Sequence, residues 1–298
     1  MKKLLFFLGA VCFAALSCTK EKTVYEGVTD PVTPDDNVFK EAANIRVGGY
    51  HISVEALHGA FYKGYNEIRV KIMDSANGEP DVAGVTLLPI TIGADGRTGS
   101  CPHRYKLTHR PDSNYYSGYS VFTSESHADR TWALTIDFTV ANQTRTATLP
   151  ITVQAQPNQN RNMTAFTGKD DEQYIIALVA PLRPKVAENE LVAGIYRRNT
   201  GGLSTVSYTE ANGYTLLLDP RMPEPSMGNH SSPNNVDLTQ QSDGLYHGVV
   251  NYTMTGNWTL NFILLNEDGR IIKGTEVPTD FTPGIEGVKS ELYIDVLF

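Results

Sequence analysis

Residues Tyr115 to Thr123 read "YYSGYSVFT", and Leu245 to Thr253 read "LYHGVVNYT". The two stretches share a tyrosine two places before a glycine, then an apolar run and a final threonine. Both lead into a tryptophan-bearing segment, "TWALTIDF" in the first case and "NWTLNFIL" in the second. The only two tryptophans of the chain, Trp132 and Trp258, therefore hold equivalent places. Further upstream, Tyr50 opens a strand followed by Asn66-Glu67-Ile68, and Tyr174 opens one followed by Asn189-Glu190-Leu191. The chain beyond residue 45 is thus a sequence of short elements given twice.

Those elements are strands. Segments such as "YHISVEAL", "NEIRVKIMD", "QYIIALVA" and "ELYIDVLF" are rich in β-branched and aromatic residues, with Gly, Pro, Asn and Asp in the gaps, and no helical period is sustained. The expected fold is all-β: two tandem immunoglobulin-like β-sandwiches over 45–155 and 170–298, joined by a polar linker over 156–169, with each Trp in an inter-sheet core.

The start of the chain differs in kind. Lys2 and Lys3 precede the apolar run "LLFFLGAVCFAAL", which is too short to span a bilayer and has the form of a secretory leader over residues 1–17. The run ends in Ala15-Leu16-Ser17-Cys18, which resembles a bacterial lipobox and implies lipidation at Cys18. An ordinary leader with an incidental cysteine is the alternative. Residues 18–44 are proline-bearing and charged without apolar periodicity, so a disordered tether is expected there, and a lipid anchor makes the membrane the first partner. The net charge of −8 argues against nucleic acid.

The arrangement "MPEPSMGNH" followed by "DGLYHGVVNYTMTGNWTLNF" resembles the YtkA-like domain family over about 175–265. That family is an exported β-sandwich with a Met/Pro/His loop, a G-x-Y-x-G strand and an M-x-G-x-W-x-L strand. The matching positions are Met222, Met227 and His230 in the loop, then Gly244, Tyr246, Gly248, Met254, Gly256, Trp258 and Leu260. The first half departs from the pattern: its loop reads "SCPHRYKLTHRPDS", with Cys101, His103 and His109, and "TSESHADRTW" replaces "TMTGNW". The resemblance implies a metal role in the cell envelope.

Thioether, thiol and imidazole are the donors that select Cu(I), so Met222, Met227 and His230 form a candidate copper site, with Cys101, His103 and His109 as a second set at the equivalent loop. The competing reading makes the methionines packing residues at the end of the sandwich and Cys101 a small buried hydrophobe. No G-x-S-x-G elbow, H-E-x-x-H motif or phosphate-cradling glycine loop occurs, so a non-catalytic protein is expected. The other function class is an interaction module that holds an envelope protein or a glycan through tyrosines such as Tyr115, Tyr116 and Tyr119.

Overall fold

The computed structural model describes residues 38–158, 160–199 and 207–298. The segment read as a leader, Cys18 and the part of the expected tether through residue 37 lie outside the described residues. The first half contains β1 (Phe39–Val47), β2 (Tyr50–Leu57), β3 (Phe61–Tyr62), β4 (Gly64–Asp74), β5 (Val82–Gly93), β6 (Thr98–Gly99), β7 (Thr108–Arg110), β8 (Tyr115–Phe122), β9 (Arg130–Val140), β10 (Gln143–Ile151) and β11 (Val153–Gln154). The second half contains β12 (Met163–Thr167), β13 (Gln173–Ala180), β14 (Glu188–Asn199), β15 (Ser207–Glu210), β16 (Thr215–Met222), β17 (His230–Ser231), β18 (Val236–Gln240), β19 (Tyr246–Asn251), β20 (Asn257–Leu265), β21 (Ile271–Lys273) and β22 (Leu292–Leu297). One turn of 3₁₀ helix, Pro111–Ser113, is the helical element among the described residues.

Two boundaries move. The ladder starts at Phe39, paired with Leu57, so the segment read as tether gives its last residues to β1. Likewise β12 pairs with β13 from Met163 onward, which cuts the linker to residues 155–162. In both places polar strand residues on an edge carry too little apolar periodicity to be told from loop.

The repeat holds at the level of topology. In the first half one sheet runs β1-β2-β4-β8-β7 and the other β10-β9-β5-β6. In the second half the order β12-β13-β14-β19-β18 continues into β16-β20-β21, with β17 on β16 and β22 on β20. The second half is hydrogen-bonded throughout because β18 pairs with β19 on one side and β16 on the other. The first half makes the same crossing less regularly: Leu87 N–H donates to the Tyr105 carbonyl and Leu107 N–H to that of Val85, after which β7 joins β8. Each half is therefore a two-layer sandwich laced along one side by a strand that changes sheets.

Each sandwich has its own core, in which the equivalent tryptophans are buried, Trp132 at 1% and Trp258 at 0% exposure. Their indole N–H groups donate to loop carbonyls, Ser124 at 3.0 Å and Met254 at 2.9 Å. Phe122 and Tyr252 pack on the two rings at 5.2 and 5.4 Å. The repeated asparagines explain themselves equally well. Buried Asn66 accepts from Tyr62 N–H and donates to the Tyr62 and Gly64 carbonyls. Asn189 does the same with Lys185 and Ala187. Both satisfy the backbone of a tight approach to the central strand, where unpaired groups would be costly.

Candidate functional site

The methionine and cysteine positions lie inside the sandwiches. Met222, the last residue of β16, is 3% exposed in the second core, and its methyl group occupies the space that a side chain at Gly256 would fill. Met227 packs against the same core from its edge. His230 is exposed, hydrogen-bonds Thr253 Oγ1 at 3.0 Å and meets Trp258 edge-on at 6.2 Å. Cys101 is fully buried in the first core, where desolvation holds its thiol far above the usual range and so disfavours the thiolate that a metal would need. His103 takes a 2.7 Å contact from its Nδ1 to the Cys101 carbonyl, and burial lowers its pKa. His109 stacks on Tyr116 at 4.7 Å.

Met222 and Cys101 thus belong to the cores of different sandwiches, and the soft donor of each candidate set points inward. Among the described residues no group of three or more His, Cys, Asp or Glu is arranged to hold a metal ion. The physical reason is ordinary: a thioether on an inward strand position pays no desolvation cost and fills volume.

What the structure does assemble is a seam between the two sandwiches. Tyr119 and Val121 of β8 face away from the first core and pack on Ile175, Ala177 and Tyr196 of β13 and β14, with Tyr65, Met163 and Tyr208 at the margins. Tyr65 stacks on Tyr119 at 5.3 Å, and Tyr119 meets Tyr196 at 5.8 Å. Close packing at Tyr196 depends on Gly194, where a Cβ would stand 2.2 Å from the tyrosine hydroxyl. The connector is pinned here as well. Gln156 donates to the carbonyls of Lys63 and Arg161, and Asn160 to that of Leu182.

The seam opens into a groove of about 470 Å³. One wall is the segment Pro102 to Tyr105, held beside β8 by Val121 N–H to the Pro102 carbonyl and Arg104 N–H to that of Tyr119. The other is Tyr208 to Glu210 with Asn212. Glu210 Oε1 accepts from Tyr119 Oη at 2.8 Å and lies 3.3 Å from the Arg104 guanidinium, which itself sits 5.5 Å over the Tyr119 ring. Burial first, and Glu210 second, push the Tyr119 hydroxyl pKa up, so it stays protonated and keeps donating. Tyr105 is 52% exposed at the rim.

Of these residues the sequence singled out Tyr119 and His103. It missed Arg104, Tyr105, Tyr196 and Glu210. A signal was present: "QYIIALVA" and "LVAGIYR" run apolar without alternation, which in an antiparallel strand means that both faces are covered. Of the other tyrosines read as candidates, Tyr115 lies under Arg69 at 4.8 Å, and Tyr116 directs its hydroxyl to the Val82 carbonyl.

Fold and groove define a protein of two docked immunoglobulin-like β-sandwiches. No family model matches the chain, nor does any curated protein. Among solved structures it is similar to a DUF4785 family protein from Legionella pneumophila, at 11% identity and a TM-score of 0.26, over 76% of this chain and 54% of that one. It is also similar to native alpha-2-macroglobulin of E. coli, at 15% identity and a TM-score of 0.24, over 78% of this chain and 14% of that one. A third is FdeC, an Escherichia coli adhesin, at 10% identity and a TM-score of 0.19, over 80% and 94%. The chain spans about half the length of the first of these.

Proposed function

We propose that the chain is a non-catalytic lipoprotein of the cell envelope, anchored through Cys18, that binds glycan in the groove between its two sandwiches. The observation that carries this reading is the groove itself. It combines an exposed aromatic ring, Tyr105, with a polar lining from His103, Arg104, Thr209 and Asn212. Sugars present hydroxyls to hydrogen-bond and C–H faces to lay on an aromatic ring, and a groove that supplies both on segments pinned by backbone hydrogen bonds loses little entropy on binding.

The lining supports a binding role over a hydrolytic one. Glycoside cleavage uses a pair of carboxylates flanking the bond. Glu210 is the one carboxylate lining this groove, and it is already engaged by Tyr119 and Arg104. The soft-metal reading, and with it the role that the YtkA-like resemblance implies for the loop, has less support. Copper at Met222 would have to draw a buried thioether out of the core, at the cost of a cavity beside Gly256.

The test is an array of neutral and acidic oligosaccharides probed with the full-length chain and with Tyr105→Ala. One glycan class is expected to be retained, with affinity falling at least ~10-fold in the variant, about 1.4 kcal/mol, at unchanged thermal stability. Retention of no glycan, or equal affinity in the two proteins, overturns the reading.

A further inference from the structure

A second hollow, of about 230 Å³, lies between the sandwiches and is walled by Phe39, Leu57 and Tyr62 of the first and Val179 and Leu182 of the second. Arg161, from the connector, also lines it. The residue is fixed through its backbone, whose N–H donates to Gln156 Oε1 at 3.3 Å and whose carbonyl accepts from Gln156 Nε2 at 2.6 Å. Its surroundings disfavour the charge. Burial lowers its pKa, with Tyr62 acting in the opposite sense.

No acid among the described residues forms an ion pair with this guanidinium. The one carboxylate lining the hollow, Glu67, is 3.0 Å from Arg69 Nε. The amide of Asn66 is spent on the Tyr62 and Gly64 backbone. An arginine has no neutral form to retreat to in this range, so it remains a cation beside an apolar hollow, half-buried and with solvent as the partner of its outer donors. An anion that enters offsets the desolvation already incurred.

We propose that this hollow binds a small monocarboxylic acid, with the carboxylate against Arg161 and an apolar body against Phe39, Leu57 and Val179. One planar guanidinium matches one planar carboxylate through two parallel hydrogen bonds. A dianion is disfavoured because Glu67 faces the same space. The volume falls below the roughly 300–1,000 Å³ of sites for drug-sized ligands, which selects a small molecule over a polymer end. The site is separate from the glycan groove and does not rest on that reading.

The experiment is calorimetric titration of the full-length chain with phenylacetate and, as its uncharged counterpart, phenylacetamide. Two variants accompany it: Arg161→Gln, which removes the charge, and Ala60→Leu, which fills the hollow and leaves the guanidinium in place. The acid is expected to bind at least ~10-fold more tightly than the amide, and Arg161→Gln to erase that difference. Ala60→Leu should weaken both. Absence of binding by phenylacetate in millimolar amounts, equal affinities for acid and amide, or an acid preference that survives Arg161→Gln would each overturn the proposal. Should Arg161→Gln fail to fold, the acid/amide comparison and Ala60→Leu decide it.

Discussion

His247 shows how a single side chain ties two strands together in a pH-dependent way. It stands on β19 beside the buried Tyr246, faces out, and lies 2.9 Å from Glu190 and 3.0 Å from Asp243. Partial burial acts to lower its pKa, but the hydrogen bonds to Glu190 and Asp243 outweigh it, and the net shift is upward from 6.5. A raised folded-state pKa means stabilisation that is complete below the unfolded pKa of about 6.5 and lost as pH rises through the folded value. His247→Gln should therefore lower Tm relative to the parent most near pH 6 and progressively less above it. Thermal unfolding of both proteins across about pH 5.5–8.5 checks this; a gap that is flat or widens toward alkaline pH contradicts it. Residue chemistry was partly legible beforehand. The sequence named packing as the alternative use of Met222 and Cys101. It had no means of showing that those two side chains point into separate cores, since thioether and thiol are equally at home in a core and on a soft ion.

At the scale of elements, the glycines of the repeated "YxG" strand set how closely the sheet-changing strand approaches. A Cβ at Gly248 would lie 2.5 Å from the Val236 carbonyl oxygen and 2.9 Å from Leu238 Cγ, whereas one at Gly118 would meet Leu107 Cδ2 at 2.3 Å. The obstacle in the second sandwich includes backbone, and the one in the first is the end of a side chain that has rotamers to choose from. Gly248→Ala is accordingly expected to cost about 1–3 kcal/mol, the usual range for overpacking, and Gly118→Ala less. Urea midpoints of the two variants test the ranking, and the reverse order would refute it. The strand order and the equivalence of Trp132 with Trp258 could be read from the sequence because both rest on alternation and on turn residues, which are local. The crossing of β18 between sheets could not, because which neighbour an edge strand chooses depends on chain segments far away in sequence.

At the scale of the molecule, the apolar seam makes the two sandwiches one body. Val121 is fully buried there, and Ile175 opposes it at 3% exposure. Val121→Asp and Ile175→Asp each place a carboxylate where no cation waits, so each should open the seam, split the calorimetric transition in two and raise the radius of gyration seen by small-angle scattering. A single transition with unchanged scattering in both variants would show that the domains are held by something else. The seam was the least legible feature, since it needs outward-facing residues of two domains to be known as partners. The connector 155–162 sets how strong a disturbance that experiment requires. A short tether keeps its two ends at an effective concentration in the millimolar range, so the sandwiches meet each other far more often than they would as separate chains. A substitution that weakened their mutual affinity tenfold, about 1.4 kcal/mol, would leave them together most of the time. Between homologous chains the seam residues can thus drift by small steps without the domains parting, and the groove above them can change its lining while its two walls stay in register.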